Sequence, residues 1–218
     1  MLKAVIFDLD GTVLDTLPDL NNCMNAALKA YGCPAITLAQ TRSYVGNGGL
    51  LYATRALPSE KRAQAEYFYK EVYCPIHVGC KNEHTHPFPL EGDCFAALKR
   101  AGLKLAVVTN KSQAAADVLG ATLLKEYGFD TIFGNRPGFG VKPDPASTLF
   151  VLKELGVSPR EAVFVGDGET DIQTAKNAGM RSVSVLWGYR SKEQLLAAGA
   201  ERFAENFLQL KDILLEMQ

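Results

Sequence analysis

Neither sign of charge dominates this chain: 23 Lys and Arg stand against 24 Asp and Glu, a formal net charge of -1. That removes the electrostatic case for nucleic acid, which needs a basic face. No apolar run is long enough to span a bilayer. The opening Met1-Leu2-Lys3-Ala4-Val5-Ile6-Phe7-Asp8 does not read as a secretory signal, because an Asp interrupts its apolar stretch at once. Cysteine is scarce and odd in number. Cys23, Cys33, Cys74, Cys80 and Cys94 form no CxxC pair, which argues for reduced thiols. Internal repeats and low-complexity segments are missing. The expectation is a cytoplasmic protein, monomer or homodimer, with neither nucleic-acid nor membrane partners.

What is present is an ordinary globular composition, 47% hydrophobic and 22% charged, in 218 residues. That suits one large domain, or a core carrying a smaller insertion. Val5-Ile6-Phe7 reads as a buried strand ending at Asp8-Leu9-Asp10-Gly11-Thr12. Further strands are predicted at Leu103–Val108, Thr131–Phe133, Ala162–Val165 and Ser182–Leu186. Apolar residues at three- and four-residue spacing predict helices over Phe95–Arg100, Gln113–Glu126, Ser147–Leu155 and Asp171–Asn177. Gly102, Gly128, Gly156 and Gly179 stand where left-handed caps would end them. Asn206 is placed to cap a final amphipathic helix. Alternating strands and helices mean an α/β fold with a parallel sheet covered on both faces, whose ligand site lies beyond the carboxyl ends of the strands.

From Thr16 to Pro87 the alternation stops. Helical periodicity recurs at Leu20–Tyr31, Leu38–Tyr44, Gly49–Ala56 and Ser59–Tyr73, with no convincing strand. The predicted organisation is a core of residues 1–15 and 88–218 interrupted by an all-helical insertion of residues 16–87. His86-Pro87-Phe88-Pro89-Leu90 serves as the return linker.

Four polar clusters fall at predicted strand ends. Asp8 and Asp10, two apart, supply a carboxylate that can attack phosphorus and another that can protonate a leaving oxygen. Such an attack on an anion needs cationic help, so a metal and a lysine should be close. Thr109-Asn110-Lys111 offers a hydroxyl and backbone N–H groups for phosphate at a strand-to-helix turn, with Lys111 itself read as a surface residue outside the core site. Lys142-Pro143 supplies the lysine. Gly166-Asp167-Gly168-Glu169-Thr170-Asp171 supplies acids suited to Mg²⁺. Asp171 also suits a helix N-terminus, but a metal-linked role is the preferred reading.

In these residues the sequence resembles the haloacid dehalogenase superfamily of phosphohydrolases. Asp8-Leu9-Asp10-Gly11-Thr12 is similar to its first motif, Thr109 to its second, Lys142 to its third, and Asp167 with Asp171 to its acidic fourth. The resemblance implies a Rossmann-like core with a mobile helical cap inserted after the first strand, hinged near Asp15–Leu17 and His86–Leu90. It implies Asp8 as nucleophile and Asp10 as acid/base. It implies Mg²⁺ on the Asp8 carboxylate, the Asp10 carbonyl and Asp167, with Asp171 as ligand or support. Within the superfamily the chain looks most like the phosphoglycolate phosphatases. That likeness implies a small phosphate ester as substrate, bound by Thr109, Asn110 and Lys142 and by Gly46, Asn47 and Gly48 of the cap. One departure is Gly168, where the fourth motif often has Ser.

Competing expectations are a sugar phosphomutase or pyrophosphatase of the same superfamily and, from another class, an idle metabolite-binding protein. A halide-removing enzyme would have no use for Asp10. Cys74, His77, Cys80, His84 and His86 crowd one segment, but their spacing is not a paired zinc knuckle. A linker with small apolar thiols and partly exposed imidazoles is the plainer reading.

Overall fold

A computed structural model describes all of residues 1–218. β1 (Ala4–Phe7) is buried at every position, as a strand covered on both faces must be. β2 (Leu14–Asp15) leads into five helices: α1 (Leu17–Ala30), α2 (Leu38–Tyr44), α3 (Gly49–Ala56), α4 (Ala65–Tyr67) and α5 (Cys74–Val78). The chain returns through β3 (His86–Pro87), then runs through α6 (Glu91–Arg100), β4 (Lys104–Ser112), α7 (Gln113–Ala121), β5 (Thr131–Asn135) and α8 (Ala146–Glu154). β6 (Ala162–Gly166), α9 (Glu169–Ala178), β7 (Arg181–Val185), α10 (Lys192–Ala197), β8 (Phe203–Ala204) and α11 (Phe207–Glu216) complete it.

Six strands form one parallel sheet in the order β5-β4-β1-β6-β7-β8. β1 lies between β4 and β6, with Phe7 opposite both Val107 and Val165. Residues that directly follow these three strands therefore converge. One face of the sheet packs through Val5, Phe7, Leu105 and Val107 against Phe95 of α6 and Phe207 and Leu210 of α11. The other packs through Ile6, Ala106, Val108 and Phe164 against Val151 and Leu152 of α8 and Ala175 of α9. The α/β class and the parallel sheet expected from the sequence are those observed.

The helices of the insertion gather around a separate apolar cluster that includes Met24, Leu28, Tyr52, Phe68 and Tyr73. Its two crossings are paired antiparallel, Leu14 opposite Pro87 and Asp15 opposite His86.

Three local expectations need correction. The helix predicted to reach Glu126 stops at Ala121, where Thr122 turns its hydroxyl back onto the Val118 carbonyl; a 3₁₀ turn over Lys125–Tyr127 follows. The segment Ser59–Tyr73 is not one regular helix. It begins as a 3₁₀ stretch and widens to a π turn over Phe68–Tyr73. A wider turn brings residues five apart onto one face, and Phe68 and Tyr73 are both buried. Finally, Thr109-Asn110-Lys111 lies inside β4 rather than in a turn beyond it. Asn206 caps α11 as expected, its side chain accepting from the Gln209 N–H.

Candidate active site

Asp8 stands one residue beyond β1, and its Oδ1 accepts from the Leu9 N–H at 2.7 Å. The turn that follows needs Gly11 twice over. Its φ is +84°, and a Cβ there would lie 2.5 Å from Oδ2 of Asp167. Asp167 directly follows β6 and is fixed by three neighbours. Thr12 Oγ1 donates to its Oδ1 at 3.0 Å, Tyr189 N–H donates to its Oδ2 at 2.7 Å, and Gly188 lies against its carboxyl group. Asp171, in the first turn of α9, accepts from Gly168 N–H at 3.0 Å, so it does cap the helix. Its other oxygen accepts from Lys142 Nζ at 2.7 Å.

Lys142 joins two of these acids, with Nζ 2.8 Å from Asp8 Oδ1 and 2.7 Å from Asp171 Oδ1. Its backbone is tied to Asn110, whose Oδ1 accepts the Lys142 N–H and whose Nδ2 donates to the Lys142 carbonyl. The ligand oxygens of Asp8, Asp167 and Asp171 lie within 4.8 Å of one another. Burial, reinforced by the charges of Asp171 and Asp167, raises Asp8 to about 7 although Lys142 opposes it. Burial and Asp171 raise Asp167 to about 6. Burial disfavours a charged Lys142, but Asp171 and Asp8 more than offset it and hold its pKa above the ordinary value. Three buried carboxylates thus face one ammonium. This is an all-oxygen donor set short of positive charge, which a hard divalent cation fits.

Asp10 is held differently. Thr16 Oγ1 donates to its Oδ1 at 2.7 Å, and Lys111 Nζ sits 2.9 and 3.3 Å from its two oxygens. Burial pushes Asp10 up, but Lys111 and the Thr16 hydroxyl outweigh it and leave the group below its ordinary value. Lys111 is therefore no surface residue: its side chain is 3% exposed. Thr109 Oγ1 accepts from the Lys111 N–H at 3.2 Å, which leaves the Thr109 hydroxyl proton free to donate elsewhere.

A cavity of about 70 Å³ opens at these carboxylates. By the same measure a single water needs roughly 10–15 Å³. Asp8, Asp10, Thr109, Asn110, Asp167 and Asp171 border it, and Gly46 and Gly48 close over it. Lys142 reaches the same carboxylates without bordering the cavity. Asn47 is turned away: its Oδ1 accepts from Arg55, and it lines a neighbouring groove instead. Gly46 is drawn down by its carbonyl, which accepts from Asn110 Nδ2 at 3.1 Å and from Thr170 Oγ1 at 3.4 Å.

Several bordering residues escaped the sequence reading. Tyr52, Tyr69, Tyr73 and His77 form the opposite wall, with His77 stacked on Tyr73 at 5.2 Å. Burial and the nearby Lys111 push His77 down to about 3, so its ring is neutral. His77 had stood out only as a neighbour of cysteines; nothing in its local sequence points at Asp10. Arg190 and Tyr189, beyond β7, meet the insertion across the seam. Arg190 donates to the carbonyls of Arg42 and Val45, and Arg42 donates back to those of Gly188 and Tyr189.

Known proteins resemble this chain over nearly its whole length. Residues 5–185 match the family model of the haloacid dehalogenase-like hydrolases. A phosphoglycolate phosphatase of Vibrio vulnificus is 36% identical, over 98% of this chain and 96% of its own length. Phosphoglycolate phosphatase 1 of Pseudomonas aeruginosa is 34% identical, over 86% of this chain and 70% of its own length. A crystal structure of a candidate phosphoglycolate phosphatase from Lactobacillus delbrueckii superposes with a TM-score of 0.89 at 33% identity, covering 97% of this chain and 98% of that one.

Proposed function

Since the chain belongs to the haloacid dehalogenase-like hydrolases and is a phosphatase, a phosphoric monoester hydrolase, we propose that it hydrolyses a small phosphate monoester, phosphoglycolate being favoured, through an aspartyl-phosphate on Asp8. The observation that carries this reading is the single cluster of Asp8, Asp167 and Asp171, with the Lys142 ammonium joining Asp8 to Asp171 and Asp10 two residues from Asp8. The substrate preference is drawn from relatives named as phosphoglycolate phosphatases, and the small cavity accords with it.

Asp8 presents an oxygen to phosphorus and forms the acyl phosphate, while the ester C–O bond stays intact and the P–O bond breaks. Asp10, ionised beside Lys111 in the free enzyme, acts from its protonated form, which the negative charge of bound substrate next to Asp10 and Lys111 would favour, and gives that proton to the departing alkoxide. It then takes one from water, whose oxygen attacks the phosphorus of the aspartyl-phosphate and frees inorganic phosphate. Thr109 donates its hydroxyl proton to a phosphoryl oxygen, and Lys142 offsets negative charge beside Asp8. Mg²⁺, held by the carboxylates of Asp8 and Asp167 and the Asp10 carbonyl with Asp171 beside them, would supply further neutralisation of the phosphoryl oxygens. Gly46 and Gly48, with the ring-lined wall, exclude bulk water.

A panel of small phosphate esters assayed for released phosphate tests this. Activity should require Mg²⁺, be abolished by chelation, and be lost in Asp8→Asn. Phosphate release by that variant at the parent rate would rule out Asp8 as the nucleophile.

A further inference from the structure

We propose that Lys111 is the residue that selects a carboxylated ester, its ammonium pairing with the carboxylate on the substrate's non-phosphate end. This rests on the reading above that the substrate is a small carboxylated phosphate ester.

The wall opposite the carboxylates carries no cation. It offers the rings of Tyr52, Tyr69, Tyr73 and His77, and the insertion contributes neither Lys nor Arg to the cavity lining. His77 is uncharged. Any anion carried by the leaving group must therefore find its counter-charge on the core. Two core cations border the cavity, Lys111 and Arg190. Arg190 is drawn into the seam, through Nε to Glu169 at 3.1 Å, Nη1 to the Arg42 carbonyl at 2.8 Å and Nη2 to the Val45 carbonyl at 2.6 Å, and it lies beyond β7 rather than on β4 beside Thr109. Lys142 serves Asp8 and Asp171 and does not reach the lining.

Lys111 is placed otherwise. Its ammonium has three N–H groups, and its partners are the two oxygens of one carboxylate, Asp10. At least one N–H of a buried ammonium is left unmatched at the edge of a cavity. A charged donor in that position calls for an acceptor oxygen. Lys111 also stands two residues along β4 from Thr109. A ligand whose phosphoryl group lies at Thr109 and Asp8 would extend its remaining atoms toward Lys111 and Asp10, where the leaving oxygen must also be. Charge favours a carboxylate there over a second phosphoryl group. Lys111 already shares its charge with Asp10, and a dianion would add more negative charge than one ammonium offsets.

The test compares phosphoglycolate with 2-hydroxyethyl phosphate, which keeps the two-carbon chain and replaces the carboxylate by a hydroxymethyl group. Both are assayed with Mg²⁺ on the parent enzyme and on Lys111→Met, Lys111→Gln and Lys111→Arg. The parent should prefer phosphoglycolate. Lys111→Met should cut its kcat/KM for phosphoglycolate by about 10- to 100-fold relative to 2-hydroxyethyl phosphate, chiefly through KM. Lys111→Arg should keep most of the preference. Because Lys111 also touches Asp10, any change in acid/base chemistry affects both substrates and cancels in the ratio. Lys111→Gln, which keeps a polar group beside Asp10, gives the same ratio should Lys111→Met not fold. A parent preference that survives in the folded Met or Gln variant overturns the role of Lys111 and leaves the substrate reading standing. A parent enzyme indifferent to the carboxylate overturns both.

Discussion

Asp167 shows how tightly one side chain can be specified by atoms that are themselves unremarkable. Its oxygens are oriented by the Thr12 hydroxyl and the Tyr189 N–H, and the backbone of Gly188 passes so close that a Cβ there would sit 2.5 Å from Oδ2. Gly188→Ala must therefore displace the carboxylate or the loop. It should raise the Mg²⁺ concentration needed for half-maximal activity by about tenfold or more while leaving the sheet intact. A magnesium titration of activity, with circular dichroism as the control, checks this. An unchanged midpoint would mean that Asp167 does not hold the ion. At this scale the sequence was an uneven guide. Asp8, Asp10 and Asp167 were legible because each stands in a short local motif at the end of an apolar strand, and Lys142 because it precedes a proline ahead of a helical run. Lys111 was not, because its partner Asp10 is 101 positions away and an isolated lysine in a polar triplet reads as solvated.

Among the elements, the buried strands announced themselves by unbroken apolar runs, whereas β4 was cut short in the sequence reading at Val108. Its last residues, Thr109 to Ser112, are polar because they carry the site, so the usual turn signal was misleading there. β2 and β3 are only two residues each and have no periodicity to detect. The start of α6 carries a testable charge. Glu91 is 2% exposed; its Oε2 accepts from the Phe88 N–H, and Oε1 has no hydrogen-bond partner. Burial raises its pKa from 4.5 to about 7, although the Tyr127 hydroxyl and the Phe88 N–H oppose the shift. A raised folded-state pKa means that the folded protein keeps a proton the unfolded chain has lost. Stability from this group is thus full below pH 4.5 and declines as pH rises through 7, by on the order of 3 kcal/mol. Glu91→Gln should melt about 5 °C or more above the parent at pH 8 and near it at pH 4.5. Parallel melting curves across that range would sink the assignment of the slope to Glu91.

Across the whole molecule, the seam between core and insertion is fastened by an exchange of arginines. Arg42 of α2 holds the Gly188 and Tyr189 carbonyls, and Arg190 of the core holds those of Arg42 and Val45. Both sit beside the segment whose Gly46 covers the site. We propose that residues 16–87 move as a cap and that these bonds favour its closed position. The double variant Arg42→Ala, Arg190→Ala should then raise KM by about tenfold and enlarge the radius of gyration in small-angle scattering. Unchanged KM with unchanged scattering would refute such a latch.

The antiparallel pairing of Leu14 with Pro87 and Asp15 with His86 carries a consequence of its own. The strand leaving the core and the strand re-entering it run side by side, so the whole excursion hangs from a two-rung ladder whose feet touch. Nothing in the central sheet depends on how long that excursion is. A tight hairpin joining Asp15 to His86 would keep the ladder and the sheet while removing the roof, and a roof of another size could be grafted at the same two feet. The sheet and the cover over its carboxyl-end site can in this way be remodelled separately.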